Sequence, residues 1–285
     1  MTTRQDNPAI SIIIPTCHRN DLLARCLDSL APGVQTLPPE QYEVVVTDDG
    51  SHSTAQQMVQ DSYPWVRWVE GPRRGPAANR NNGAVSAKGE WLVFTDDDCL
   101  PMRNWLVAYA EARTNGVLVY EGKTICAEGI TSPLYQSPIN LTGGSLWSCN
   151  FMIQASLFRV MGGFDTEFAM PAMEDVDLHD RLSQQEQVVV FVKQAIVDHP
   201  PRRINPGSKT GRMYEAKVQY WNKRGQAGQS LTAYLKHLKH QIYWLRQFGL
   251  HRDLLPVFLE LIAESVFVLP RLSAWEKKYQ ARYRS

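Results

Sequence analysis

Cysteine is scarce in this chain: five residues in 285, at positions 17, 26, 99, 126 and 149. Their odd number and wide spacing argue against a disulfide framework, and no pair has the spacing of a zinc site. Reduced thiols in a cytoplasm are therefore expected, with Cys17 and Cys99 acting as small fillers. Long apolar runs are missing too. The most apolar late stretch, Leu254 to Leu269, is interrupted by Glu260 and Glu264, which argues against a spanning helix. It reads as an amphipathic packed helix, with a surface-bound helix as the alternative. The start, MTTRQDNPAISIIIP, lacks a cationic segment, a long apolar segment and a cleavage site, so no secretory signal is expected. Internal repeats and low-complexity segments are absent. So are the Gly-Lys-Ser/Thr ending of a P-loop and the regular G-x-G-x-x-G of a dinucleotide fold.

What remains is an ordinary globular composition, 44% hydrophobic and 21% charged, in a chain long enough for one α/β domain plus a helical appendage. The formal charge of +1 hides a strong asymmetry. From Pro201 to Ser285, 16 Lys and Arg stand against 5 Asp and Glu, a net of +11; the first 200 residues carry a net of −10. Such a tail suits an anionic membrane surface or a phosphorylated acceptor, and a solvated face explains it equally well. No zinc-finger pattern or recognition module marks it for nucleic acid.

Apolar β-branched runs at Ile10–Ile14, Val44–Val46, Val66–Val69 and Trp91–Thr95 read as buried strands. Helical patterns separate them, near Leu22–Leu30 with Asn20 or Asp21 as cap, and near Pro76–Ser86. The expected fold is α/β: a mostly parallel sheet flanked by helices, with a helical C-terminal region including Leu231–Phe248 and Leu254–Leu269. Residues 1–205 form the expected catalytic domain and 206–285 a basic helical extension. In such sheets ligands bind beyond the carboxyl ends of the strands.

Acidic residues gather at those ends: Asp48 and Asp49 after one strand, Asp96, Asp97 and Asp98 after another. An aspartate-rich turn is often a solvated cap, but three consecutive carboxylates repel one another unless exposed, protonated or countered by a cation. Mg²⁺ and Mn²⁺ accept carboxylate oxygens and keep positions open for phosphate. Gly71-Pro72-Arg73-Arg74-Gly75-Pro76 offers positive charge and backbone N–H groups before a helix, as phosphate binding or as a tight turn. Arg80 either reaches the same crevice or lies on the outer helix face.

Further along, Gly143-Gly144-Ser145 would permit close approach by a ligand. Asn150–Ile153 and Val188–Val192 read as strands, and Glu174-Asp175-Val176-Asp177 opens a helix running to about Gln185. Carboxylates in a first turn are also ordinary capping. His199, near a strand end, is either a metal-ligating imidazole or a loop histidine. His237 and His240, three apart among lysines, read as surface residues.

Taken together, IIIPTCHRN, VVVTDDGS, GPAANRNNGA, GEWLVFTDDDC and GGFDTEFAMPAMEDVDLHDRL resemble the inverting glycosyltransferase family 2, with its GT-A fold, over roughly Ile10 to His199. The resemblance implies hexosyl transfer from a nucleotide-sugar donor, preferably a UDP-sugar, with Mn²⁺ or Mg²⁺. It implies that Pro15 and Thr16 line the base pocket near Arg19, that Asp49 bonds the base edge and that Asp48 supports that turn. Arg74 and Arg80 would contact base or diphosphate. Asp96 would serve the ribose or metal shell beside Asp97, and Asp98 would bind the ion. Asp175 would be the general base, Glu174 would position a sugar, and His199 would be a metal ligand. The acceptor would be a polysaccharide, a lipid-linked sugar or a small molecule, met in the cytoplasm or at the inner membrane surface.

Rival readings are a nucleotidyltransferase on a related scaffold, a glycoside hydrolase, and a binding protein that has lost turnover. PTCHRN after the first strand disfavours the first, and the arginine turn and strand-end acids disfavour the second.

Overall fold

The computed structural model describes residues 8–52 and 54–283. The stretch read as lacking a leader lies in part, residues 1–7, outside them. Two compact units emerge. The first runs up to Ala127 and adds Pro138–Ala169 and Glu174–Pro200; the second comprises Glu128–Ser137, Met170–Met173 and the chain from Pro201 on.

In chain order the strands are β1 (Ile10–Thr16), β2 (Tyr42–Asp48), β3 (Val66–Glu70), β4 (Trp91–Phe94), β5 (Leu100–Pro101), β6 (Val119–Ile125), β7 (Tyr135–Gln136), β8 (Phe151–Gln154), β9 (Val189–Asp198) and β10 (Arg202–Arg203). The first unit holds α1 (Asn20–Leu30), α2 (Gln56–Ser62), α3 (Pro76–Ser86), α4 (Trp105–Ala112), α5 (Ala155–Val160) and α6 (Glu174–Gln184). The second holds α7 (Gly207–Lys223), α8 (Ser230–Leu245), α9 (Leu254–Val268) and α10 (Leu272–Tyr283).

The main sheet has the order β3-β2-β1-β4-β8-β6-β9-β5. β3, β2, β1 and β4 are mutually parallel, and β6 pairs parallel with β9. β8 runs antiparallel between β4 and β6, and β5 antiparallel beside β9. The α/β class and the mostly parallel sheet hold, with β8 and β5 as the antiparallel strands.

Both faces are buried, which is why the strands read as continuous apolar runs. Alternation along β1 shows it: Ile10, Ile12 and Ile14 pack with Leu23 and Leu27 of α1 and Trp105 and Tyr109 of α4. Ile13 joins the opposite layer with Ala84 of α3, Phe158 of α5, and Leu178 and Leu182 of α6. The α1 cap differs from expectation. The helix starts at Asn20, and Arg19 occupies the cap position with no side-chain capping bond. Asn20 Nδ2 instead donates to Thr54 O at 3.2 Å.

Asn150 ties the centre together. Its Oδ1 accepts from Trp105 Nε1 and Tyr109 OH, both at 2.8 Å, and its Nδ2 donates to Lys123 O at 3.0 Å and Ala195 O at 3.1 Å. These bonds span α4 and the register shift of β6 against β9 at Gly122/Lys123. At Gly122 an added Cβ would lie 2.4 Å from Ala195 O, so glycine alone fits there. Asn150→Ala leaves two buried donors and two carbonyls without their partner. It is expected to cost about 2–4 kcal/mol, read as a lower urea midpoint at unchanged slope; a loss under about 0.5 kcal/mol would contradict it.

In the second unit, Tyr214, Val218, Tyr234, Val268, Leu272 and Trp275 form the core. Glu260 Oε2 accepts the Gly207 N–H at 2.6 Å, a carboxylate at the start of α7.

Candidate active site

The carboxyl ends of β1, β2 and β4 converge. Thr16 and Asp48 are partners in the β1–β2 ladder, and the Asp49 N–H continues it to Thr16 O at 2.9 Å. Asn79, buried in α3, donates through Nδ2 to Thr47 O (2.9 Å) and Thr16 O (3.3 Å), fastening the helix to both strand ends. Pro15 is buried within β1 opposite Thr47.

Asp48 and Asp49 have separate tasks. Asp48 is buried and accepts from Gly50 N (2.8 Å), Ala55 N (2.6 Å) and Trp68 Nε1 (3.2 Å), which shapes the loop after β2. Asp49 accepts the N–H groups of Arg73 (2.8 Å) and Gly75 (3.2 Å). Two backbone donors that looked available for phosphate are thus turned onto a neighbouring carboxylate, which satisfies them inside the turn. The turn is tight: a Cβ at Gly75, φ +90°, would come 2.2 Å from Ala169 O. Arg74 is exposed at its tip.

The three aspartates after β4 diverge as well. Asp97 is fully buried, accepting from Thr16 Oγ1 at 2.7 Å and pairing with Arg19 at 2.5 Å. Burial pushes its carboxyl up to about 7, against the pull of Arg19 and with the push of Asp98 and Asp96. Asp98 accepts from Arg19 Nη1 at 3.1 Å. Asp96 turns to Arg80 Nη2 at 2.6 Å. Burial opposes its charge, yet the Arg80 guanidinium holds its carboxyl below the usual range.

Arg80 points inward from the second turn of α3. Its other terminal nitrogen reaches Glu174 Oε1 at 3.0 Å, and all three groups are largely buried. Arg80 therefore joins the strand-end acids to the first turn of α6. Burial, then the charge of Asp175, push Glu174 up to about 7 while Arg80 pulls it back. Burial likewise raises Asp175, although its Oδ1 accepts the Val176 N–H at 2.8 Å. Asp177 looks away from this group: it pairs with Arg181 at 2.7 Å, and Arg181 donates to Met161 O and Gly163 O.

A short ladder completes the site. Antiparallel pairing of Leu100 with Asp198 sets the residues just before β5 opposite those just after β9. His199, 1% exposed, brings Nε2 to 3.4 Å from Asp98 Oδ1. Its Nδ1 lies 3.1 Å from Pro200 O, which can only accept. With the proton on Nδ1, Nε2 offers a lone pair to a carboxylate, an encounter that a cation between them makes favourable. Ligand atoms of Asp98, Cys99 and His199 all lie within 4.8 Å of one another. The Cys99 thiol is raised well above its ordinary range by burial and then by Cys149. Carboxylate and imidazole remain, a donor set that fits Mn²⁺. Asp96 stands outside this cluster.

Residues 11–136 match the family described as Glycosyl transferase family 2. The resemblance holds. The chain shares 38% identity over 94 residues with a poly(ribitol-phosphate) beta-glucosyltransferase of Bacillus spizizenii, covering 31% of this chain and 14% of that protein. Validoxylamine A glucosyltransferase of Streptomyces hygroscopicus subsp. limoneus is 28% identical over 218 residues, 61% of this chain and 48% of that protein. The chain thus spans less than half the length of either curated relative. A mannosyltransferase from Pyrobaculum calidifontis, solved with GDP-Man and Mn²⁺, superposes with TM-score 0.60 at 19% identity, over 96% of this chain and 84% of that one. The fold is GT-A-like.

Two structural residues escaped the sequence reading. Glu121, buried in β6, accepts the N–H groups of Gly144, Ser145 (3.1 Å) and Leu146 (3.0 Å) and the Asn140 amide (3.0 Å). The Gly143-Gly144-Ser145 turn is thereby folded onto a carboxylate. An acid beside glycine inside an apolar strand was the available signal. His237, read as a surface residue, is the second: it is half-buried and meets Glu264 Oε1 at 3.1 Å, because that acid faces the unit's interior.

Proposed function

We propose that this chain is a metal-dependent inverting glycosyltransferase that moves a hexosyl group from a nucleotide-diphosphate donor to an acceptor hydroxyl. The observation that carries this reading is the double ion pair of Arg80, which joins Asp96 and Glu174 and so brings the acid-rich strand ends and the Glu-Asp helix start together. Residues 1–205 would supply donor binding and catalysis, and 206–285 an extension.

Pro15 and Thr16 border the base site near Arg19, with Asp49 at the base edge on the turn that Asp48 supports. Arg74 meets the diphosphate from its exposed turn, and Arg80 and Asp97 keep the buried charges in register. Asp98 and His199 would hold the divalent cation. A bound Mn²⁺ or Mg²⁺ supplies positive charge against the leaving diphosphate. Glu174 positions the reacting sugar. Asp175 takes the proton of the acceptor hydroxyl as that oxygen bonds to the anomeric carbon. The bond to the diphosphate breaks with its electron pair leaving on oxygen. A single in-line displacement inverts the anomeric centre, and the raised Asp175 carboxyl suits a base.

UDP-sugars are the first donors to test, beside GDP-mannose and dTDP-glucose; the acceptor is a polysaccharide, a lipid-linked sugar or a small molecule. Donor binding is measured by calorimetry with Mn²⁺, with Mg²⁺ and with chelator. Metal-dependent binding of one donor class is expected, and Asp98→Ala should weaken it by about tenfold or more. Binding indifferent to chelator and to Asp98→Ala would refute the metal assignment.

A further inference from the structure

The second unit wears hydrophobic side chains on the outside of two helices. Along α9 and into the turn after it, Leu255, Phe258, Leu259, Ile262, Val266 and Leu269 follow one another at spacings of one to four residues and are all exposed, Leu255 by 67% and Val266 by 68%. The two carboxylates of this helix point inward, Glu260 to the Gly207 N–H and Glu264 to His237. A helix whose outer face meets water has the reverse arrangement. On α8, Leu231, Leu235, Ile242 and Tyr243 are exposed as well. An apolar groove of about 490 Å³ runs over this face, lined by residues including Leu238, Ile242, Phe258, Ile262, Val266 and Leu269. Contiguous apolar surface of this kind marks a contact site.

The charges around it have one sign. Between residues 230 and 272 the exposed ions are Lys236, Lys239, Arg246, Arg252 and Arg271. The acids of the same stretch are engaged: Asp253 accepts from Ser132 Oγ at 2.6 Å, and Glu260 and Glu264 face inward. Arg271 lies 4.2 Å over the Phe267 ring, a cation on an aromatic at the edge of the apolar stripe. Among the described residues no helix is long and apolar enough to cross a membrane. The 15 residues of α9 reach about 22 Å, short of a bilayer core of about 30 Å.

We infer that the α8–α9 face docks on an anionic phospholipid bilayer, its apolar side chains entering the interface and its lysines and arginines meeting lipid phosphates. A second copy of the chain is the poorer occupant, because a symmetric contact would set this cationic rim against itself.

The test is co-sedimentation of the full chain with phosphatidylcholine vesicles and with vesicles containing phosphatidylglycerol, at low and high salt. It needs neither donor, metal nor acceptor, so its outcome is separate from that of the proposed transfer reaction. Binding to the anionic vesicles, weakened by salt, is expected. Leu259→Gln with Ile262→Gln should lower it by about tenfold or more, and Lys236→Gln with Lys239→Gln by about thirtyfold. Val85→Gln, an exposed apolar position of the first unit, should leave it unchanged. The substituted positions are exposed, and circular dichroism checks that each variant is folded. No sedimentation with anionic vesicles, equal binding to neutral ones, or an undiminished apolar double variant would each overturn the inference. So would a lipid-free dimer that the apolar double variant turns into a monomer.

Discussion

Asp175→Asn is expected to slow sugar transfer by about 10²–10⁴-fold, the range of a positioned general base, with donor affinity little changed. Asparagine keeps the shape and the carbonyl oxygen that can accept the Val176 N–H, so the first turn of α6 stays formed while the proton acceptor is lost. Donor affinity is measured by calorimetry with Mn²⁺, and transfer by single-turnover assay so that chemistry limits the rate. Near-normal transfer under those conditions would remove Asp175 from the role of base. Loss of donor binding in parallel would show instead that the substitution had disturbed the site.

Arg80→Met should cost about 3–5 kcal/mol of stability, because it leaves Asp96 and Glu174 as buried carboxylates without the guanidinium between them. Methionine fills much of the volume, so the loss reads charge rather than cavity. Arg80→Lys should recover little, since one ammonium cannot reproduce two bonds from separate nitrogens at 2.6 and 3.0 Å. Adding Glu174→Gln to Arg80→Met should restore part of the loss, a coupling measurable by a double-mutant cycle in urea. If Arg80→Met unfolded within about 1 kcal/mol of the parent, the buried pairing would not be the constraint it looks.

Much of the first unit was legible because both faces of its sheet are covered, so strands read as apolar runs and end abruptly at acids. α3 has the expected bounds, and β1 and β2 only extend theirs. Strand direction was not legible, since a buried run has the same pattern whichever way it points, and β8 is antiparallel. The two-residue strand β5 is too short to carry a period. Its pairing with β9 is what gives Asp98 and His199 a common location. Local sequence also could not tell which groups an acid satisfies. Asp49 serves the Arg73–Gly75 turn, Asp177 serves Arg181, and Glu264 draws His237 into the second unit.

The β5–β9 ladder has a consequence for folding order. Asp98 and His199 are separated by 100 intervening residues and become neighbours only when the edge strand closes on a fully assembled sheet. A chain that has collapsed but not placed that edge carries both ligands and has no site. On the proposed metal assignment, ion capture would follow that closure, and an ion held there would draw its affinity from, and return stability to, the finished topology.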